Sequence, residues 1–339
     1  MIITDVRWHT LTIPLKKPFV IALGAMTEYV CVQVEITTKN GLTGRGEAPV
    51  SPRITGDTAD SVQGALARYK PLLIGKDARR IGPLLSNLSR SLLHNSAARK
   101  AVDNALYDLF AQYCRMPLAS LLGGVQQQTA TSLTIGICDT STAVQEAKQL
   151  ISQGVKVIKV KIGGHPDQDI ERVRALTRAC SVPLRLDANQ GYTYTQALRV
   201  LRALEGENVQ FMEQPVKHHL KADMARLRGL TTIPIMADEG VHDLKDLLAY
   251  RDCCDMVNIK LAKCGGIHEA LHMAAVLRAW NKPFMVGCMI ETRLSIYSSL
   301  AFALGVGADY ADLDGFVDLE EEGADTRVAL RDGCLFSEE

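Results

Sequence analysis

The sequence predicts an α/β protein: an eight-stranded barrel preceded by a smaller α+β domain. Three observations carry that reading. Beyond about residue 124, short apolar segments alternate with amphipathic helical stretches, the pattern of parallel strands joined by crossover helices. Nearly every one of those segments ends in an ionisable residue, at a near-constant spacing. The stretch before them reads instead as sheet followed by helices.

In that first stretch, residues 28–37 are rich in β-branched residues, Lys39-Asn40-Gly41 is a turn, and residues 42–48 run back. Helical patterns cover about 58–73 and 95–113, the second with Asn95 in the place of an N-cap. The α+β unit ends near Leu121-Leu122-Gly123-Gly124. The strand candidates that follow are 132–137, 157–163, 183–189, 209–215, 233–239, 256–262, 284–290 and 311–315. Eight such strands fit a closed barrel, although this region is shorter than the ~250 residues usual for one. A doubly wound open sheet would want a glycine-rich phosphate turn after its first strand, and Gly136-Ile137-Cys138 is not one.

Composition narrows the function classes. Lys plus Arg (38) equals Asp plus Glu (38), so no charge excess calls for nucleic acid or an anionic membrane. No apolar run approaches the ~18 residues of a membrane span, and the N-terminus lacks a signal-peptide core. The nine cysteines show no C-x-x-C spacing and read as reduced thiols, hence a cytoplasmic location. A homo-oligomer is compatible with all of this.

The strand-end charges are Lys159 and Lys161, Asp187, Glu213, Asp238 with Glu239, Lys260, and Asp312 with Asp314. From Lys161 to Lys260 the steps are 26, 26, 25 and 22 residues, one strand–helix unit each. The series therefore marches around the C-terminal rim, where barrels build active sites. One strand-end charge reaching solvent is ordinary; a whole series in register is not, because buried charge is costly unless paired or metal-bound.

Asp187, Glu213 and Asp238 converge on one sector, and a ligand set of hard oxygens without His or Cys favours Mg2+ over Zn2+. Lys159 and Lys161, two apart on a strand, share a face and should depress each other's pKa with a metal nearby. Lys161 on strand two and Lys260 on strand six face each other across the barrel axis, the geometry for protonating a planar carbanion from either side. Asp312 and Asp314 on strand eight lie opposite the metal sector and suit a cation such as an α-ammonium. Glu239 is read as orienting the ligands.

With those residues placed, the chain resembles the enolase superfamily, its muconate-lactonizing-enzyme subgroup, and within that the dipeptide epimerases. The motifs are Lys159-Val160-Lys161, Asp187-Ala188-Asn189, Glu213-Gln214-Pro215 and Asp238-Glu239. With them go Lys260-Leu-Ala-Lys263-Cys-Gly-Gly, Gly287-Cys-Met-Ile-Glu-Thr292 and Asp312-Leu313-Asp314. The resemblance implies a (β/α)7β modified TIM barrel over 124–315, an α+β capping domain over 1–123, and a C-terminal segment, 316–339, returning to the cap. It implies an Mg2+-dependent isomerase acting on a small-molecule dipeptide by 1,1-proton transfer through an ene-diolate. Lys161 and Lys260 would be the bases, with Asn189 and Glu239 behind the metal ligands. Lys159 would touch the substrate carboxylate, Asp312 and Asp314 the ammonium, with Thr134 and the backbone at Cys288 beside the ligand.

Relatives selective for Ala-Glu tend to carry a cation in the cap loop. Here that loop offers Phe19, Ile21, Leu23, Gly24 and Met26, with glycine where the cation would align. Hydrophobic or small C-terminal residues are therefore expected, with Arg53 in the second cap loop the one charge within reach. The alternatives are o-succinylbenzoate synthase or muconate cycloisomerase chemistry, whose substrates carry no ammonium for Asp312 and Asp314. More distant is a zinc peptidase, since His268, Glu269 and His272 match H-E-x-x-H. That helix should lie outside the barrel. His218 and His219 read as a solvated loop pair.

Overall fold

The computed structural model describes residues 1–22, 24–321 and 323–338. Leu23, named above with the cap loop, lies outside them.

The cap begins with three antiparallel strands, β1 (Ile3–Ile21), β2 (Gly24–Thr38) and β3 (Thr43–Pro49), paired in that order. Three helices pack on them: α1 (Ala59–Leu73), α2 (Ile81–Ser91) and α3 (Ser96–Cys114). β3 alternates small and polar residues because α3 lies directly on it. A Cβ at Gly44 would meet Ala105 and Leu109, and one at Gly46 would meet the carbonyl of Ala101. Asn95 does stand at the N-cap of α3, but in a left-handed backbone conformation and with no capping side-chain bond. Asp57 takes that role, accepting from the Ala97 N–H at 3.2 Å.

A short helix, α4 (Leu118–Leu121), and strand β4 (Gln128–Ala130) lead into the barrel. Its strands are β5 (Leu133–Ile135), β6 (Ile158–Lys161), β7 (Leu184–Asp187) and β8 (Val209–Glu213), then β9 (Ile235–Ala237), β10 (Met256–Lys260), β11 (Phe284–Gly287) and β12 (Tyr310–Asp312). All eight are parallel and neighbour one another in chain order. A parallel bridge between Thr131 and Ala311, with the Ser132 N–H on the Ala311 carbonyl, joins the two ends of the sheet. The crossovers are α5 (Thr140–Ser152), α6 (Pro166–Ala179), α7 (Tyr194–Ala203), α8 (Lys221–Arg228), α9 (Leu244–Ala249), α10 (Leu261–Cys264), α11 (Ile267–Ala279) and α12 (Arg293–Val306).

Period-two alternation on these strands stacks the interior in layers. Phe211, Met236, Met256 and Met285 form a buried floor, with Tyr310 against it. Arg185 crosses that floor between the rings of Phe211 and Tyr310 and donates to the Ala311 carbonyl at 2.6 Å. Two residues beyond Arg185, Phe211, Met236 and Tyr310 come Asp187, Glu213, Asp238 and Asp312 of the rim, and Lys260 lies four beyond Met256. After Gly315 the chain touches the cap, where the Lys16 N–H donates to Asp318 and Leu15 bridges Leu319. It ends in β13 (Val328–Arg331) and β14 (Cys334–Ser337), an antiparallel pair of which β14 also pairs with β4.

Candidate active site

The rim of the barrel and the cap loops enclose one cavity of about 390 Å³. Lys159, Lys161, Asn189, Lys260, Cys288, Asp312, Asp314 and Thr134 line it from the barrel. From the cap come Leu15, Phe19, Ile21, Gly24, Met26, Tyr29, Arg53 and Ile54. Lys161, Asp187, Glu213, Lys260 and Asp312 are each the last residue of their strand, and Asp238 follows β9 directly. The sheet thus brings these six charges to the rim, with Lys159 two residues before Lys161 on β6 and Asp314 two beyond Asp312.

Lys159 is the hub. Its Nζ lies 2.9 Å from Asp187, 2.8 Å from Glu213 and 2.6 Å from Asp312. Burial pulls this ammonium down, but the three carboxylates outweigh it and hold the pKa well above its ordinary value. The mutual depression of the two lysines is expected with a metal nearby; in the protein alone the carboxylates prevail at Lys159. Lys161 donates to Asp187 Oδ2 at 2.7 Å and to Asn189 Oδ1 at 3.1 Å. Asn189 in turn donates to Glu239 at 3.3 Å, so a short chain of bonds runs from Lys161 to the end of β9.

Across the ring, Lys260 donates to Asp238 Oδ2 at 2.6 Å. Burial lowers it, and Asp238 with Glu213 more than reverse the effect. The other oxygen of Asp238 is held from behind by Lys263 at 2.5 Å. Lys263 is only 2% exposed, so it is no surface residue. Sequence reading gives Lys263 only within the Lys260 motif and with no role, because a one-turn helix after a strand does not announce that its side chain folds back. Asn258 is a further residue it missed. Sharing a strand face with Lys260, it donates to Glu213 at 2.6 Å, in space that Gly287 leaves by lacking a Cβ.

Asp187, Glu213 and Asp238 are fully buried, and all supply carboxylate oxygen. Among the described residues they form no closed ligand cluster as they stand, because each is drawn onto a lysine. Yet Glu213 Oε2, although 2.8 Å from Lys159, makes no well-directed hydrogen bond. Burial and Asp187 push the Glu213 carboxyl up to about 7, and burial and Asp238 push Glu239 to about 8. Lys159, Lys161, Lys260 and Lys263 satisfy Asp187 and Asp238, yet Glu213 and Glu239 stay disfavoured as anions, and a hard divalent cation fits that deficit.

At the far side, Asp312 accepts from Ser132 and Lys159, both at 2.6 Å, while Asp314 accepts the Thr134 N–H at 2.7 Å. Burial and Asp312 raise Asp314 to about 6. Ser132 went unnoticed in the sequence, where a serine ahead of a strand carries no signal. Cys288 is buried and its thiol pushed well up by burial, so its backbone is what it can offer a ligand. Arg53 stands over the glycine of the cap loop, its Nη1 2.6 Å from where a Gly24 Cβ would be. His268, Glu269 and His272 lie on α11, none of them in the cavity wall, and His268 instead faces Tyr107 at 3.4 Å. His218 and His219 are exposed.

Two family profiles span most of the chain. Residues 3–123 match the mandelate racemase/muconate lactonizing enzyme N-terminal domain, and 142–337 match the enolase C-terminal domain-like family. The chain belongs to the mandelate racemase/muconate lactonizing enzyme family, in its dipeptide-epimerase branch. An L-Ala-D/L-Glu epimerase of Clostridium acetobutylicum is 36% identical over 89% of this chain and 87% of its own. The substrate-liganded L-Ala-D/L-Glu epimerase of Bacillus subtilis superposes with a TM-score of 0.97 at 32% identity, covering 100% and 97% of the two chains. The dipeptide epimerase of Enterococcus faecalis, complexed with Mg and L-Leu-L-Tyr, also gives 0.97, at 33% identity and 100% and 98% coverage. Of these relatives of one fold, two are thus named for a dipeptide with an acidic second residue and one is complexed with a dipeptide whose second residue is aromatic.

Proposed function

We propose that this protein epimerises dipeptides, removing the α-proton of the C-terminal residue from one face and delivering a proton to the opposite face. The observation that carries the proposal is a pair of buried ammoniums, Lys161 on β6 and Lys260 on β10, on one cavity and four strands apart in a ring of eight. A flat carbanion held between them has one lysine on each face. Asp187, Glu213 and Asp238 would hold Mg2+, a Lewis acid for the charge that develops on the substrate carboxylate.

In this reading Lys159 meets the same carboxylate, and Asp312 with Asp314 hold the α-ammonium at the other end. Thr134 and the backbone at Cys288 flank the peptide. Asn189 keeps Lys161 aimed by accepting a hydrogen bond from its Nζ at 3.1 Å, and Glu239 braces Asn189. The C-terminal side chain then rises toward Phe19, Ile21, Met26 and Ile54, an apolar wall that suits aliphatic or small groups. All nine cysteines are free, in keeping with a reducing cytoplasm, and among the described residues no helix is long and apolar enough to cross a membrane.

The test is a dipeptide library incubated with enzyme and Mg2+ in deuterated water. Uptake of one deuterium at the C-terminal α-carbon, read by mass, is expected for a subset of peptides. No exchange with any dipeptide would defeat the proposal.

A further inference from the structure

The loop that follows β11 forms one wall of the cavity, through Cys288, Met289 and Ile290. It is not held by the barrel alone. Glu291, 1% exposed, spends one carboxylate oxygen on the Met289 N–H of this same loop at 3.0 Å. Its other oxygen meets Lys100 of cap helix α3 at 2.6 Å and the Ser295 hydroxyl. Lys100 is completely buried, and it also donates to Ser295. Beside this pair, Glu47 of β3 accepts from the Thr292 hydroxyl at 2.5 Å and from the Tyr29 hydroxyl at 2.7 Å. Tyr29 is itself part of the cavity wall.

A buried ion pair is a poor device for stability. Its desolvation cost is large, and apolar residues of similar size often serve as well or better. What this pair offers is position. It ties a cap helix to the carboxylate that shapes the loop touching the substrate. We infer that Lys100 and Glu291 are positioning residues through which the cap sets the height of the 288–290 wall, so that they govern substrate binding and not proton transfer.

The inference rests on the dipeptide reading of the cavity, and its test separates the two. The double variant Lys100→Met/Glu291→Leu removes both charges together, leaving none unpaired. Its Tm and its Mg2+ affinity should stay close to wild type, while KM for the dipeptide rises about tenfold or more and kcat changes little, since a wall that meets non-reacting parts of the substrate binds ground and transition state alike. A double variant with wild-type KM, or one that loses kcat at constant KM, overturns the inference. The near-isosteric Glu291→Gln, read the same way, serves if the double variant does not fold. Amide hydrogen exchange needs no substrate: it should quicken at residues 288–291 and stay unchanged in β6–β8. Unaltered exchange in that loop overturns the inference even if the dipeptide assignment stands, and quickened exchange supports it even if that assignment fails.

Discussion

At the scale of single residues the site is organised by charge balance around Lys159. Its ammonium is shared by Asp187, Glu213 and Asp312, so removing it strips three buried carboxylates of a partner at once. Breaking a buried pair in this way typically costs about 3–5 kcal/mol. The Lys159→Met variant should therefore unfold at markedly lower urea in EDTA. Mg2+ should restore much of the loss, since a ligand at a hundred times its Kd adds about 2.7 kcal/mol. A loss that Mg2+ does not relieve would mean that these carboxylates hold no cation. The strand-end charges were readable from the sequence because an ionisable residue in an apolar strand needs a reason to be there. Lys100 and Glu291 were not, since their partnership spans 191 residues and each alone looks like a surface charge.

Among the elements, two features of the cap make distinct predictions. Gly46 faces the Ala101 carbonyl so closely that a methyl group there would force α3 off the sheet. Overpacking of this kind costs about 1–3 kcal/mol or more, so Gly46→Ala should lower the urea midpoint while Mg2+ affinity, read by calorimetry, is retained. Unchanged stability would show that α3 yields easily. The second feature is the specificity wall. A carboxylate side chain among Phe19, Ile21 and Met26 would be desolvated, whereas an aliphatic one gains about 0.8 kcal/mol per CH2 buried. L-Ala-L-Leu should therefore exceed L-Ala-L-Glu in kcat/KM. A clear advantage for the glutamate peptide, lost in Arg53→Ala, would hand specificity to the guanidinium over Gly24.

Element boundaries followed the sequence where local chemistry decides them. β5 to β11 fall inside the expected segments, β3 and β12 overrun theirs by one residue and β2 begins four residues early at Gly24, because alternation and turn residues act over a few positions. The long β1 escaped notice, since about half of it is exposed and Pro14, Lys16, Lys17 and Pro18 interrupt its alternation. The start of α3 looked capped by Asn95, yet its cap is Asp57, which only the fold brings near.

For the whole molecule, the ring of strands puts two lysines opposite each other and the cap closes over them. If each serves one face, Lys161→Ala and Lys260→Ala must both fail to interconvert isomers while each still serves one. The decisive measurement is α-proton exchange in deuterated water with Mg2+, made on the separate LL and LD forms of one accepted dipeptide. Each variant should exchange a single stereoisomer with solvent, without epimerisation, and the two variants should choose opposite isomers. A single-lysine variant that still interconverts the isomers at near the wild-type rate would contradict the account.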